Sequence, residues 1–212
     1  ATKSFLNEED SMKNRLVITG LCASAFCRSA FYSALDDCDT EKVVLNEGLN
    51  ILRGEIDSGL WAIGYVLSMF GGNEKIIINK NPVIQLNGCN MSIEQIQNKA
   101  VYLDTAFPLF QNELPVYKNI EMGLCKSKFE FSVWDIKSIF KLTDERFDRQ
   151  ISACGNEKLR AMAAIGFSYG KIIYCYPWMS YRRYIYSQSH IRINEEALLP
   201  YHAIEILPIG RL

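Results

Sequence analysis

One short segment constrains the fold of this chain more than any other. Residues Gly54 to Gly59 (GEIDSG) form a loop with glycine at both ends. Before it lies Lys42 to Leu52 (KVVLNEGLNIL), which reads as two short strands around a turn at Asn46-Glu47-Gly48. After it comes Leu60 to Phe70 (LWAIGYVLSMF), an apolar run long enough for a buried helix and stopped by Gly71-Gly72. A strand that enters a helix through a glycine loop needs other strands beside it and helices over it. The rest of the chain supplies both.

Arg15 to Gly20 (RLVITG), Lys75 to Ile78 (KIII), Val83 to Leu86 (VIQL) and Ala100 to Leu103 (AVYL) read as strands, with a turn at Asn87-Gly88. Ser92 caps a short helix running to Asn98. From Val116 to Ala164 the spacing is mostly helical. Lys171 to Tyr176 (KIIYCY) is a β-rich run ending at Pro177, and Arg183 to Ser187 and Ala203 to Leu207 read as two more strands. This alternation predicts an α/β protein with a mixed sheet. Residues 1–14 read as a polar lead.

Composition removes several function classes. The chain has 212 residues, enough for one large domain, and a chain of this length buries roughly 70% of its unfolded surface. The formal charge is -1, so no global basic field attracts nucleic acid. The run Tyr181-Arg182-Arg183-Tyr184 reads as a solvated turn or a protein contact. The cysteines at 22, 27, 38, 89, 125, 154 and 175 include no CxxC pair, and the chain has only two histidines. That scatter predicts reduced thiols in a cytosolic compartment and no metal site. The opening ATKSFLNEED lacks the pattern of a signal peptide. Leu60 to Phe70 is too short to span a bilayer, so direct insertion is not expected.

The glycine loop has phosphate-binding spacing without the chemistry. A phosphate-binding loop reads GxxxxGK and then Ser or Thr. Gly54 and Gly59 have that spacing, and Asp57 and Ser58 keep the polar interior of such a loop. The lysine position holds Leu60 and the hydroxyl position holds Trp61. Taken alone, one GxxxxG is a strand-to-helix turn.

Over roughly Arg15 to Leu212, however, the chain resembles the ATP-binding subunits of ABC transporters, motif after motif in the family's order. LNEGLNILRGEIDSG resembles the lead into the family's Walker A loop. AVYLDTAFPLFQNELPVYKNIEMGL (Ala100 to Leu124) resembles its Q-loop strand and the helix behind it, with the glutamine position at Asp104 or Thr105. SACGNEKLRAMAAIGFSYGKIIYCYP (Ser152 to Pro177) resembles the signature motif, its helix and the Walker B strand. The signature is Ser152-Ala153-Cys154-Gly155-Asn156, where only Gly155 keeps the family residue. The two Walker B carboxylates fall at Cys175 and Tyr176, and His190 stands at the H-loop histidine. Phe26 is a candidate adenine-stacking ring, although an aromatic there is as often core.

The resemblance implies a P-loop fold with a mixed sheet core, an antiparallel β lobe and a helical subdomain at about residues 112–156, in one domain spanning 15–212. It also implies pairing of two such domains and docking on a transmembrane permease. The departures imply the loss of catalysis. Phosphoryl transfer is positioning plus electrostatic stabilisation, and each lost charged contact costs about 1.5–3 kcal/mol. His190 is then vestigial or structural, and Cys175 has no histidine placed to activate it, since His202 lies near the C-terminal strand. No cofactor is expected; ATP and magnesium would bind only if the motifs are misaligned. The main expectation is a pseudo-ATPase with a structural or regulatory role in a transport complex, cytoplasmic and peripheral to the membrane through its partner. A soluble scaffold reusing the fold and an active ATPase with divergent motifs remain alternatives. The partner is a permease or a second ATP-binding subunit, and a homodimer is possible. Aromatics near the motifs (Trp61, Tyr174, Tyr176, Trp178, Tyr181) could replace nucleotide with direct contact, although Tyr174 reads as core.

Overall fold

The computed structural model describes residues 13–20, 22–27, 30–32, 42–54, 61–69, 75–80, 82–127 and 129–211. The first elements are β1 (Arg15–Thr19), β2 (Cys22–Cys27), β3 (Ala30–Tyr32), β4 (Lys42–Asn46) and β5 (Gly48–Arg53), followed by α1 (Trp61–Ser68). β1 alternates as a half-buried strand must: Leu16 and Ile18 face the core while Arg15, Val17 and Thr19 face out. Between β4 and β5 the backbone turns at Gly48 with φ 79°, which favours glycine. The Asn50 side chain closes this corner, donating to Asn46 O at 2.7 Å and accepting from Asn46 N at 3.0 Å.

Next come β6 (Lys75–Lys80), β7 (Val83–Leu86), β8 (Cys89–Met91), α2 (Ile93–Gln97) and β9 (Ala100–Tyr102). Asn87 and Gly88, with φ 54° and 78°, make the two-residue turn that folds β8 back on β7. Ser92 and Gln95 form a reciprocal capping box on α2. The helical stretch from residue 116 comprises α3 (Val116–Ser127), α4 (Val133–Ile139), α5 (Asp144–Phe147) and α6 (Lys158–Ser168), with two 3-10 turns just before α6. α6 carries Ala161, Ala163, Ala164 and Gly166, all buried, and crosses α3 at Gly123.

The chain finishes with β10 (Ile173–Cys175), α7 (Tyr181–Leu198) and β11 (Ile204–Ile209). Among the described residues the strands form three sheets. Two are antiparallel, ordered β4-β1-β7-β8 and β3-β2-β6, and one is parallel, ordered β5-β11-β10-β9. β10 and β11 are buried at every position, as central parallel strands covered on both faces are. No helix among the described residues is long and apolar enough to cross a membrane.

One expected strand is overturned. Arg183 to Ser187 lies inside α7. The β-rich run Tyr184-Ile185-Tyr186 is overridden by helix signals on either side. Ser180 caps the helix, its side chain accepting from Arg183 N at 3.3 Å. The inward residues Tyr184, Ser187, Ile191, Asn194 and Leu198 recur every three or four positions. The expected α/β fold with a mixed set of strands is otherwise the one observed.

Candidate functional site

In open α/β sheets the ligand site lies outside the carboxyl ends of the strands. That edge is built here from the ends of β5, β11, β10 and β9. At β5 the chain leaves Arg53 for Gly54, a buried residue whose N–H donates to Ile209 O at 2.9 Å. Its carbonyl accepts the Trp178 indole N–H at 3.2 Å. The loop after β10 folds back along β11: Met179 N donates to Pro208 O at 3.1 Å, and Gly210 N to Met179 O at 2.8 Å. A Cβ at Gly210 would lie 3.1 Å from the Trp178 ring, so the indole covers both glycines. Trp178 is thus half-buried within its own chain. Asp57, Ser58, Gly59 and Leu60 lie outside the described residues, as does Phe26's side chain. Trp61 opens α1, and its side chain is likewise outside them.

α1 lies over β9 and β10. Gly64 allows the approach, because a Cβ there would stand 3.1 Å from Cys175 Cβ and 3.4 Å from the Tyr102 ring. Tyr102 stacks on Tyr65 with ring centroids 4.7 Å apart. Cys175 is fully buried, and burial pushes its thiol well above the usual range. A thiol held this way is neither a thiolate nucleophile nor an accessible one. Alkylation followed by peptide mapping will therefore label Cys89 and Cys125, both exposed, in the native protein. Cys154 and Cys175 are buried and will react only once denaturant is added. Native-state labelling of Cys175 as fast as Cys125 would contradict this packing.

Tyr176 turns inward too, which corrects the expectation that it offers an interface ring. Its hydroxyl donates to Glu205 Oε2 at 2.7 Å and accepts from Asn194 Nδ2 at 3.0 Å. Tyr174 is core, as expected. Burial and the neighbouring Glu205 raise the Tyr176 phenol well above its ordinary range. Glu205 is the second residue of β11 and has no exposed surface, and burial pushes its carboxyl up to about 8. Tyr176's hydrogen bond lowers it and Glu195's charge raises it further. Glu205 Oε1 and Asn194 Oδ1 are buried without a hydrogen-bond partner. Since Oε2 already accepts from Tyr176, the proton of the neutral acid belongs on Oε1. No sequence motif marks Glu205. Its signal was a single acid inside the apolar strand AIEILPIG.

His190 lies mid-helix in α7, not in a loop at a strand end. It stands beside the buried Arg160–Glu157 pair, whose nearest atoms are 3.1 Å apart. Burial and the charge of Arg160 push the imidazole below its usual range, and Glu157 opposes them. Its Nδ1 is buried and unpartnered. Gly54, by contrast, bonds to Ile209 and Trp178. The signature positions immediately precede α6. Ser152 and Ala153 belong to a 3-10 turn, and Cys154 is buried. Gly155 has φ 56°, and Asn156 is exposed. At the end of β9, Asp104 Oδ1 accepts from Ala106 N at 2.9 Å, and Thr105 O accepts from Asn112 Nδ2 at 2.7 Å. A cleft of about 280 Å³ brings Asp104 and Thr105 together with Gly155 and Asn156, and α7 adds Arg183 and Ser187. A larger recess of about 600 Å³ lies away from this edge, among α3, α4 and α5, beside the exposed Trp134.

No family model matches the sequence, and no curated protein does. Solved structures do match in shape. One is an ATP-binding cassette determined as a dimer in a post-hydrolysis state with ADP and phosphate. It has TM-score 0.55 and 10% identity, with 93% of this chain and 88% of that one covered. Another, from Pyrococcus furiosus, is described as an ABC transporter ATP-binding protein. It has TM-score 0.57 and 13% identity, with 93% of this chain and 92% of that one covered. The chain has the fold of an ATP-binding cassette. On a cassette fold, the edge described above lies where the glycine loop leaves the parallel sheet.

Proposed function

We propose that this chain is an ATP-binding-cassette-like subunit that does not hydrolyse ATP and acts structurally or in regulation within a transport complex. The observation that carries this reading is the end of β10. Cys175 and Tyr176 occupy the positions where the resemblance calls for carboxylates. The first is a fully buried thiol against α1, and the second is a phenol tied to Glu205. Neither offers magnesium a hard, charged oxygen ligand. These residues do not fit the ATP–magnesium group. Leu60 and Trp61 at the lysine and hydroxyl positions support the same reading. The trapped carbonyl of Gly54 supports a structural role for the loop's first residue.

The partner we propose is a transmembrane permease, joined directly or through a second ATP-binding subunit. The apolar recess among α3, α4 and α5, with Trp134 66% exposed, supports a protein contact there. Phosphate release from the purified chain with magnesium and ATP will not exceed a blank. Turnover well above the blank, abolished by Gly59→Ala or His190→Ala, would overturn the proposal. Co-purification with a membrane protein from native membranes is expected. Its absence, together with no turnover, would favour a free scaffold.

A further inference from the structure

The corner between α4 and α5 is fastened to α6 by one buried ion pair. Arg160 of α6 pairs at 3.1 Å with Glu157, which lies in the turn just before that helix, and both side chains are buried. Arg160 Nη1 donates to Lys141 O at 2.6 Å and to Phe140 O at 3.5 Å, the carbonyls that follow α4. Glu157 Oε2 accepts at 3.1 Å from the N–H of Thr143, the N-cap of α5. Between these contacts Lys141 has φ 49°, a conformation that a residue other than glycine keeps only where its surroundings hold it.

His190 stands beside this pair, because α7 packs on α6 and on the turn that carries Glu157. Glu157 and Arg160 are the charged groups that act on the ring from those elements. Glu205 of β11, the other strand element against α7 with a buried acid, is engaged with Tyr176. On α7 itself the neighbours one turn away are Tyr186, Ser187, Ile193 and Asn194, none of them charged near neutrality. Two buried atoms of this seam, His190 Nδ1 and Arg160 Nε, have no hydrogen-bond partner. With the ring neutral, the seam holds one cation and one anion. A proton on the ring makes it two cations against one carboxylate, both of whose oxygens are already committed. The fold resists that proton: burial and Arg160 push the imidazole below its usual range, with Glu157 opposing.

We infer that His190 is a proton-operated latch on the α4–α5 corner: the neutral ring leaves the corner fastened to α6, and the charged ring frees it. To meet the imidazolium, Glu157 must yield either Arg160 or the Thr143 N–H. Repulsion between the two cations also draws Arg160 away from the carbonyls of Phe140 and Lys141. Each of these losses falls on the same corner. The corner joins the helices that carry Trp134 and Phe147, two walls of the apolar recess, so acidification reshapes that recess. This last step rests on the partner contact proposed there, and the release of the corner does not. Histidine suits the task, because its charge change ordinarily falls within reach of physiological pH.

Hydrogen exchange of the full chain at about pH 7.5 and about pH 5, corrected for the intrinsic rate, tests the latch. Amides of residues 140–147 will lose protection by about tenfold at the lower pH, the lower end of what one hydrogen bond to a charged group is worth. Amides of β11 will not lose protection, because Glu205 adds stability as the pH falls through this window. The Lys141–Glu196 pair will not account for the loss, since Lys141 holds the Glu196 carboxyl below its usual range and it stays charged there. His190→Gln, which cannot take the proton, will abolish the local loss. In the parent, NMR titration of the His190 ring will share its midpoint with the opening of the corner, a readout that needs no substitution. Unchanged protection at 140–147 would overturn the inference. So would an equal loss at β11, a loss that persists in His190→Gln, or a ring that titrates at a different pH from the corner. Neither measurement involves a partner, so a chain that captures no membrane protein leaves the latch standing, and a failed latch leaves the partner proposal standing.

Discussion

Raising the pH from 5 to 9 will destabilise this protein by several kcal/mol, and Glu205→Gln will remove most of that dependence. Glu205 is neutral in the fold up to about pH 8, whereas in the unfolded chain it ionises near 4.5. The folded state therefore binds the proton more tightly. The stabilisation is complete below pH 4.5 and is lost as pH rises to about 8. At about 1.4 kcal/mol per pH unit, the gap between 4.5 and about 8 is worth roughly 5 kcal/mol. Ionisation would leave a carboxylate inside a parallel sheet, facing Tyr176, Tyr174 and Asn194, with Glu195 adding repulsion. A glutamine keeps the acceptor for Tyr176 and cannot ionise. Urea midpoints at half-unit pH intervals measure the effect. Parallel curves for the parent and Glu205→Gln would refute the assignment. His190 works in the opposite sense: its lowered pKa makes acidification costly on the low side of its ordinary range. The parent's optimum should accordingly fall on the weakly acidic side of neutrality.

Gly123→Ala will be the most damaging one-carbon change on the helical face. A Cβ there would stand 2.8 Å from Ser168 Cβ and 2.7 Å from the Tyr169 ring. Both neighbours end the buried helix α6, and the Ser168 hydroxyl is held on Ile165 O at 2.7 Å. Overpacking of this kind costs about 1–3 kcal/mol, and a close crossing with no flexible neighbour belongs at the upper end. Adding Ser168→Gly removes the Ser168 clash but leaves that of the Tyr169 ring, so it should recover part of the loss, although glycine inside a helix costs up to about 1 kcal/mol of its own. A denaturant midpoint unchanged in Gly123→Ala would show that α3 and α6 do not cross as described.

Local signals carried much of this fold into the sequence, and distance hid the rest. Asn87-Gly88 announces its hairpin because only a few residues tolerate two positive φ values in succession. Ser92 announces α2 because a capping box is contained in four residues. At the start of α7, three aromatic and branched residues favour a strand, while Ser180 and the spacing from Tyr184 to Leu198 spell a helix. β2 (CASAFC) carries little local signal because small residues have weak strand preference. β8 is defined by its partner β7 and not by its own three residues. At the candidate site, Gly54 and Trp178 each stand out in the sequence, but the hydrogen bond between them joins positions 124 apart. Nothing local encodes it. The same is true of the cleft, whose lining is gathered from the end of β9, the turn into α6 and the first turns of α7.

The order of the parallel strands also bears on how the chain is made. β11 lies between β5 and β10, so β5 has no neighbour in this sheet until β11 arrives. Asn50 and Glu205, joined across that seam, are 155 positions apart. During synthesis, β9 and β10 can pair as soon as both have left the ribosome, while β5 waits with an unpaired edge. The strand that fills the gap carries Glu205, so it must enter the sheet with its carboxyl protonated or lose the proton-bound stability described above. Vectorial folding is thus frustrated by topology. A nascent chain arrested before Ile204 would present the half-built sheet to chaperones and to other copies of itself, and release of a few further residues would close it.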